Sequence, residues 1–233
     1  MQTTPRDVRL IPVMEIEPWG FSDRKSPEAA APRAEWNEYW RLCLVDAGLD
    51  HLPPISEGSL FYEISQLEEP HVLDAVVRRE LASWDLDEDL STVEKLNENG
   101  SSLYGGIAVL RGSQLVTYPG CCCCLDTIQE EWFALAASKP NEWTDVWVGH
   151  DVDSLELRFD ADKSRIEFRV AKWQMSGWDR EFHFAEDDLI VMLDAIRNEL
   201  DWFARRLAPA LPDAVPDSAR ESVARRMAGT LIL

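Results

Sequence analysis

Two neighbouring segments, Leu155-Glu156-Leu157-Arg158-Phe159 and Ile166-Glu167-Phe168-Arg169-Val170, alternate apolar and charged residues with a period of two. In an extended chain that period puts the apolar side chains on one face and the charges on the other, the pattern of antiparallel strands with one buried and one wetted side. The turn sequence Ala161-Asp162-Lys163-Ser164 separates them. Strands of a fully parallel sheet are buried on both faces and read as unbroken apolar runs, which these do not.

Around this meander the period changes to that of a helix. Residues 187–207 carry Leu189, Leu193, Ile196, Leu200, Phe203 and Leu207 as one continuous apolar stripe, and Glu186, Asp187 and Asp188 complement the dipole at its start. A helix over 33–47 presents Trp36, Trp40, Cys43, Leu44 and Ala47 on one face and stops at Gly48. Pro70 opens another, with Leu73, Val77 and Leu81 on one face, that ends near Trp84. Ser91 and Glu94 form a capping-box pair for a short helix, and Asp126 and Gln129 have the same spacing before TIQEEWFALAAS. Residues 8–18, SLFYEISQL, 145–149 and EFHF read as further strands, and GGIAVL pairs with QLVTY as a hairpin around Arg111-Gly112-Ser113.

Helices, hairpin, helix, meander and long helix thus follow one another without strict βαβ alternation. The expected fold class is α+β: a mainly antiparallel sheet packed by helices, with a long helix near the C-terminus. A single domain is expected over 1–208, a stiff linker over 209–216 with Pro209, Pro212 and Pro216, and an amphipathic helix over 217–233. That helix carries Val223, Met227 and Leu231 on one face, which makes it an appendage able to dock in cis or to form a homodimer.

No segment approaches the eighteen or more apolar residues of a membrane span, and MQTTPRDVRLIPV lacks the parts of a secretory signal. Five cysteines, four of them adjacent, do not make a disulfide framework. A cytoplasmic protein is expected. The net charge of −20 is unevenly placed: residues 202–233 hold five arginines against Asp213, Asp217 and Glu221. The acidic body repels nucleic acid and anionic lipid and attracts basic partners, which argues against direct nucleic-acid binding and against a membrane role. Arginine outnumbers lysine 18 to 5, which together with many alanines points to a GC-rich bacterial genome.

Cys121, Cys122, Cys123 and Cys124 hold nearly all the thiol chemistry of the chain, since Cys43 lies on a helical apolar stripe and reads as core. Zinc requires thiolates that converge, and only Cys121 and Cys124 have C-x-x-C spacing; His51, His71, His150 or His183 would have to complete the site. The zinc-deaminase signature is not met, because Gly120 separates Pro119 from Cys121. A helix N-terminus suits a redox thiolate, yet the preceding elements form a hairpin rather than a βαβ unit. No nucleophile elbow, P-loop, dinucleotide fingerprint or H-E-x-x-H occurs. The plainest reading is structural: small, desolvation-tolerant side chains lining a buried strand-to-helix corner, with no cofactor and with zinc as the alternative.

Pro119, Cys121–Cys124, Leu125, Ile128 and Trp132, followed by Trp147-Val148-Gly149-His150, resemble a pattern in bacterial proteins: a proline, a cysteine pair, Leu-x-x-Ile, a tryptophan, then Trp-x-Gly-His. Those proteins are similar to the small α+β immunity proteins found beside polymorphic toxins, broadly the SMI1/KNR4-like group. The resemblance spans residues 119–150 and departs from the pattern in having four cysteines where it has two. It implies a binding role and carries no catalytic residues.

Two functions follow. The first is a non-enzymatic immunity or inhibitor-type protein whose acidic surface takes a basic protein partner, such as a toxin. Its candidate contact is the run Asp85, Asp87, Glu88 and Asp89 beside the aromatic anchor Trp84. The alternative is a metal- or thiol-dependent enzyme built around Cys121–Cys124 and His150.

Overall fold

A computed structural model describes residues 8–84, 101–120, 122–150, 153–171 and 180–230. β1 (Val8–Glu15) is the axis of the first half: it pairs antiparallel with both β2 (Phe61–Glu63) and β3 (Gly105–Arg111), and β3 continues into β4 (Gln114–Thr117), giving the order β2-β1-β3-β4. The period of two divides these strands between two cores. Leu10, Met14, Tyr62, Ile107, Val109 and Val116 face the main core, while Val13, Phe61, Ala108 and Leu110 form a small cluster on the other side. Pro12 is tolerated within β1 because the β2 ladder covers only Val13–Glu15, leaving the proline with a strand partner on one side. Gly112 (φ +58°) makes the two-residue turn between β3 and β4 that the sequence signalled.

The meander forms a second antiparallel sheet, ordered β5-β6-β7-β8, from β5 (Thr144–Val146), β6 (Ser154–Asp160), β7 (Arg165–Ala171) and β8 (Arg180–Ala185). Its register sets Leu157 opposite Phe168 and Phe168 opposite Phe182, so the apolar residues stack on one face. The other face is an ion-pair ladder: Arg158 Nε donates to Glu167 at 2.8 Å and Arg169 Nε to Glu156 at 2.6 Å. The Trp143 ring lies 4.6 Å from the Arg158 guanidinium carbon and 4.3 Å from that of Arg169. The α+β class and the antiparallel pairing stand as expected, with two four-stranded sheets in place of one.

The helices are α1 (Arg33–Ala47), α2 (Pro70–Ser83), a π-helical segment Ile128–Phe133 running into α3 (Ala134–Ser138), α4 (Glu186–Ala210) and α5 (Asp217–Met227). Every residue of the predicted stripe on α4 is buried, and the helix packs on β1 of one sheet and on β7 and β8 of the other. That stripe joins the two halves into one core. α1 departs from expectation: Tyr39 and Cys43 are its buried residues, and Trp36 and Trp40 are only half-buried.

The C-terminal region requires a correction. The prolines do not make a stiff spacer: α4 runs through Pro209 to Ala210, and Leu211 and Val215 are buried. α5 is part of the core rather than an appendage, with Ala219, Val223, Ala224 and Met227 each at most 1% exposed. Arg220 fastens it by donating to the carbonyls of Leu211 and Pro212 at 2.9 Å each, satisfying groups at the end of α4. The Leu103 N–H bonds to the Met227 carbonyl at 2.9 Å. Gly229 (φ +67°) passes so close to Leu125 that a Cβ there would lie 2.3 Å from the Leu125 carbonyl carbon. Of the apolar face on which the homodimer expectation rested, Val223 and Met227 are covered within the chain, and Leu231 lies outside the described residues.

Candidate functional site

Residues 123–125 run antiparallel to the entrance of β3: Gly105 N–H bonds to the Cys123 carbonyl and Leu125 N–H to the Leu103 carbonyl, both at 2.9 Å. Of the corner expected to be lined by the four cysteines, Cys123 is buried, Cys124 is half-buried and Cys122 is exposed. Cys121 lies outside the described residues. Cys122 is exposed and takes a left-handed turn at φ +68°. Cys123 is buried in an apolar seam with Pro119, Ile128, Trp132 and Val148. Burial and the nearby Asp126 carboxylate push the Cys124 thiol up to about 11, against a hydrogen bond with Ser102 that works the other way. Such surroundings oppose the thiolate on which redox and nucleophilic chemistry depend. His150 is exposed, its ring set edge-on to Trp147 at 4.8 Å. Among the described residues, the grouping of three His, Cys, Asp or Glu ligand atoms within 4.8 Å is His51, Glu69 and His71, and it contains no cysteine. Two of the four histidines offered as partners for the thiols are thus brought together with a carboxylate instead.

Trp84 is buried rather than offered to a partner, at 5% exposure. Its indole Nε1 donates to Glu80 Oε1 at 2.8 Å, and Ser101 Oγ donates to the same oxygen at 2.8 Å. The acidic residues Asp85, Asp87, Glu88 and Asp89, like the Ser91–Glu94 capping box, lie outside the described residues.

Glu80 leads to a feature that sequence reasoning missed. A cleft of about 60 Å³ opens between the end of β1, the 3-10 turn Pro18–Phe21, α2 and the approach to β3. Its walls include Glu15, Glu17, Glu80, Arg79 and Tyr104. Burial, followed by the charge of Glu17, pushes the Glu15 carboxyl up to about 7. Burial also raises Glu80, in spite of the donors from Trp84 and Ser101. Arg79 Nη2 stands 3.7 Å from Glu17. The one sequence signal for this cleft is the alternation Met14-Glu15-Ile16-Glu17, which sets two carboxylates on one side of an extended segment. Substrate pockets measure roughly 300–1,000 Å³. This cleft is well below that size, and three carboxylates and the Arg79 guanidinium line it.

The same 3-10 turn borders a second concavity. Phe21 lines the carboxylate cleft, while Trp19, on the turn, lines an open groove of about 750 Å³ together with Asp23, Trp36, Tyr39 and Trp40. Trp19 is 40% exposed. The rings of Trp36 and Tyr39 meet edge-on at 5.9 Å, and those of Trp36 and Trp40 lie 6.0 Å apart. The groove is held open by a fixed wall: Arg24 is clamped on Asp46 at 2.6 and 2.8 Å, and Ser22 Oγ adds a bond to the same carboxylate at 2.7 Å. These bonds bring the Asp46 carboxyl down to about 2 and neutralise the one arginine of the groove, leaving Asp23 as its net charge. The Trp40 indole N–H is buried without an acceptor among the described residues. The sequence placed Trp36 and Trp40 on the apolar stripe of α1 and gave no sign that they would line an open groove with Trp19.

Comparison with known protein families, curated proteins and solved structures finds no match for the chain. Among the described residues no helix is long and apolar enough to cross a membrane.

Proposed function

We propose that this is a non-enzymatic binding protein of the immunity or inhibitor type, and that it takes a basic protein partner on the surface around residues 15–40. The observation that carries this reading is the pairing of an exposed tryptophan groove with a carboxylate cleft across the single turn Pro18–Phe21. Rigid aromatic side chains supply most of the contact energy of interfaces at little entropic cost. The cleft is too small for a metabolite but suits a lysine or arginine tip, whose charge would draw the proton off Glu15 and pair with Glu17. The net charge of −20 provides the long-range attraction that selects such a partner. The resemblance of residues 119–150 to toxin-associated immunity proteins points the same way.

In this reading the aromatic anchor is Trp19 with Trp36 rather than Trp84, and the acidic run at Asp85–Asp89 adds to the field. The thiol-enzyme alternative built on Cys121–Cys124 and His150 has the raised Cys124 thiol against it. The test is co-expression with the product of the adjacent gene, which should be a basic protein. A salt-sensitive complex on size exclusion, with a shift in tryptophan emission on mixing, supports the proposal. An adjacent product that is acidic, or that elutes separately at low salt, overturns it.

A further inference from the structure

We propose that His51, Glu69 and His71 form a binding site for one divalent transition-metal ion of the zinc type, with a coordination position left for water or for a group brought by another molecule. The residues come from two segments. His51 stands in the loop after α1, held by the buried neighbours Leu49 and Leu52. Glu69 is the N-cap of α2 and His71 lies in its first turn, which is anchored by the buried Val72 and Leu73. The backbones on both sides are thus fixed by the core while the ligands stay in solvent.

The distances fit a metal. Glu69 turns one oxygen to each imidazole: Oε1 is 3.0 Å from His51 Nε2 and Oε2 is 3.5 Å from His71 Nδ1. With metal–nitrogen and metal–oxygen bonds of roughly 2.0–2.2 Å, ligand atoms of a tetrahedral ion sit about 3.3 Å apart. All three ligand atoms lie within 4.8 Å of one another, so a small movement of exposed side chains closes the set.

The hydrogen bonding of His71 fits as well. Its Nε2 lies 3.2 Å from the Gly48 carbonyl, which only accepts, so Nε2 carries the proton. Nδ1 is then the ring nitrogen that faces the Glu69 carboxylate. A metal-bound histidine characteristically donates its other N–H to a backbone carbonyl or carboxylate, which fixes the ring and its tautomer. Two imidazoles and one carboxylate with an open position make a donor set suited to Zn²⁺. The acidic body raises the local concentration of any cation. The site is independent of the partner surface proposed above and shares no residue with it.

The experiment uses the full chain, stripped with chelator and dialysed, and titrated with ZnCl₂ by calorimetry and with CoCl₂ by absorption. The expected result is roughly one equivalent of Zn²⁺ per chain, weakened at least ~10-fold by each of His51→Ala, His71→Ala and Glu69→Gln. The cobalt spectrum should show ligand-field bands without a thiolate charge-transfer band. The three side chains are about half exposed, so the variants should keep the metal-free melting temperature of the wild type. Absence of a stoichiometric Zn²⁺ isotherm overturns the proposal. So does binding that survives both histidine substitutions, or a thiolate band that is lost in Cys121→Ser/Cys124→Ser.

Discussion

Glu15 offers the sharpest test of the carboxylate cleft. Its carboxyl is raised from 4.5 to about 7 by burial and by Glu17. A folded state that holds a proton more tightly than the unfolded state is favoured at low pH. The stabilising contribution is complete below the unfolded value near 4.5 and is lost as pH rises to about 7. Each tenfold gain in proton affinity is worth ~1.4 kcal/mol, and after a reduction for the partial exposure of the side chain the loss comes to about 2–3 kcal/mol. Glu15→Gln removes the charge and keeps the shape. Relative to wild type it should be nearly neutral at pH 4.5 and stabilising by about 2–3 kcal/mol at pH 8, or roughly 5–10 °C in Tm for a chain of this size. Thermal melts of both proteins across that range provide the readout. A gap that stays constant with pH, or a substitution that destabilises at pH 8, would show that Glu15 is solvated rather than desolvated by burial as described.

Two further predictions concern parts of the fold. Truncation after Leu211 removes the buried Val215, Ala219, Val223, Ala224 and Met227, so cooperative urea unfolding should be lost; a truncated chain with a wild-type transition would restore the appendage reading. Iodoacetamide at pH 8 should modify the exposed Cys122 well before Cys124, whose thiol is held up near 11; mass mapping that finds Cys124 modified as fast as Cys122 would refute the desolvated corner.

Local periodicity was readable and long-range closure was not. The stripe on α4, the wet and dry faces of β6 and β7, and the Gly112 hairpin are properties of one segment each, and period alone specifies them. Pairing β1 with β3 joins residues roughly a hundred positions apart, so strand content was evident while the division into two sheets was not. The stripe on α5 showed that the helix had to be buried, but Arg220 reaching back to the Leu211 and Pro212 carbonyls decides where. Trp84 beside an acidic run reads as a surface anchor until Glu80, one helical turn earlier, claims its indole proton. Glu15 carries the same lesson with the opposite sign. An acidic residue in an alternating strand reads as wetted, and it is burial in the folded chain, followed by the charge of Glu17, that raises its pKa. The grouping of His51, Glu69 and His71 likewise needs the loop after α1 brought against the start of α2 before it exists.

The central claim is that the tryptophan groove takes a basic protein. It is tested most directly by titrating the product of the adjacent gene into the wild-type chain and into Trp19→Ala, Trp36→Ala and the double variant by calorimetry at low and moderate salt. Interface anchors of this kind contribute about 2 kcal/mol or more each, so Trp36→Ala should weaken binding at least ~30-fold. The double variant should abolish measurable binding, and the wild-type affinity should fall steeply with salt. A double variant that binds as tightly as wild type would contradict the account.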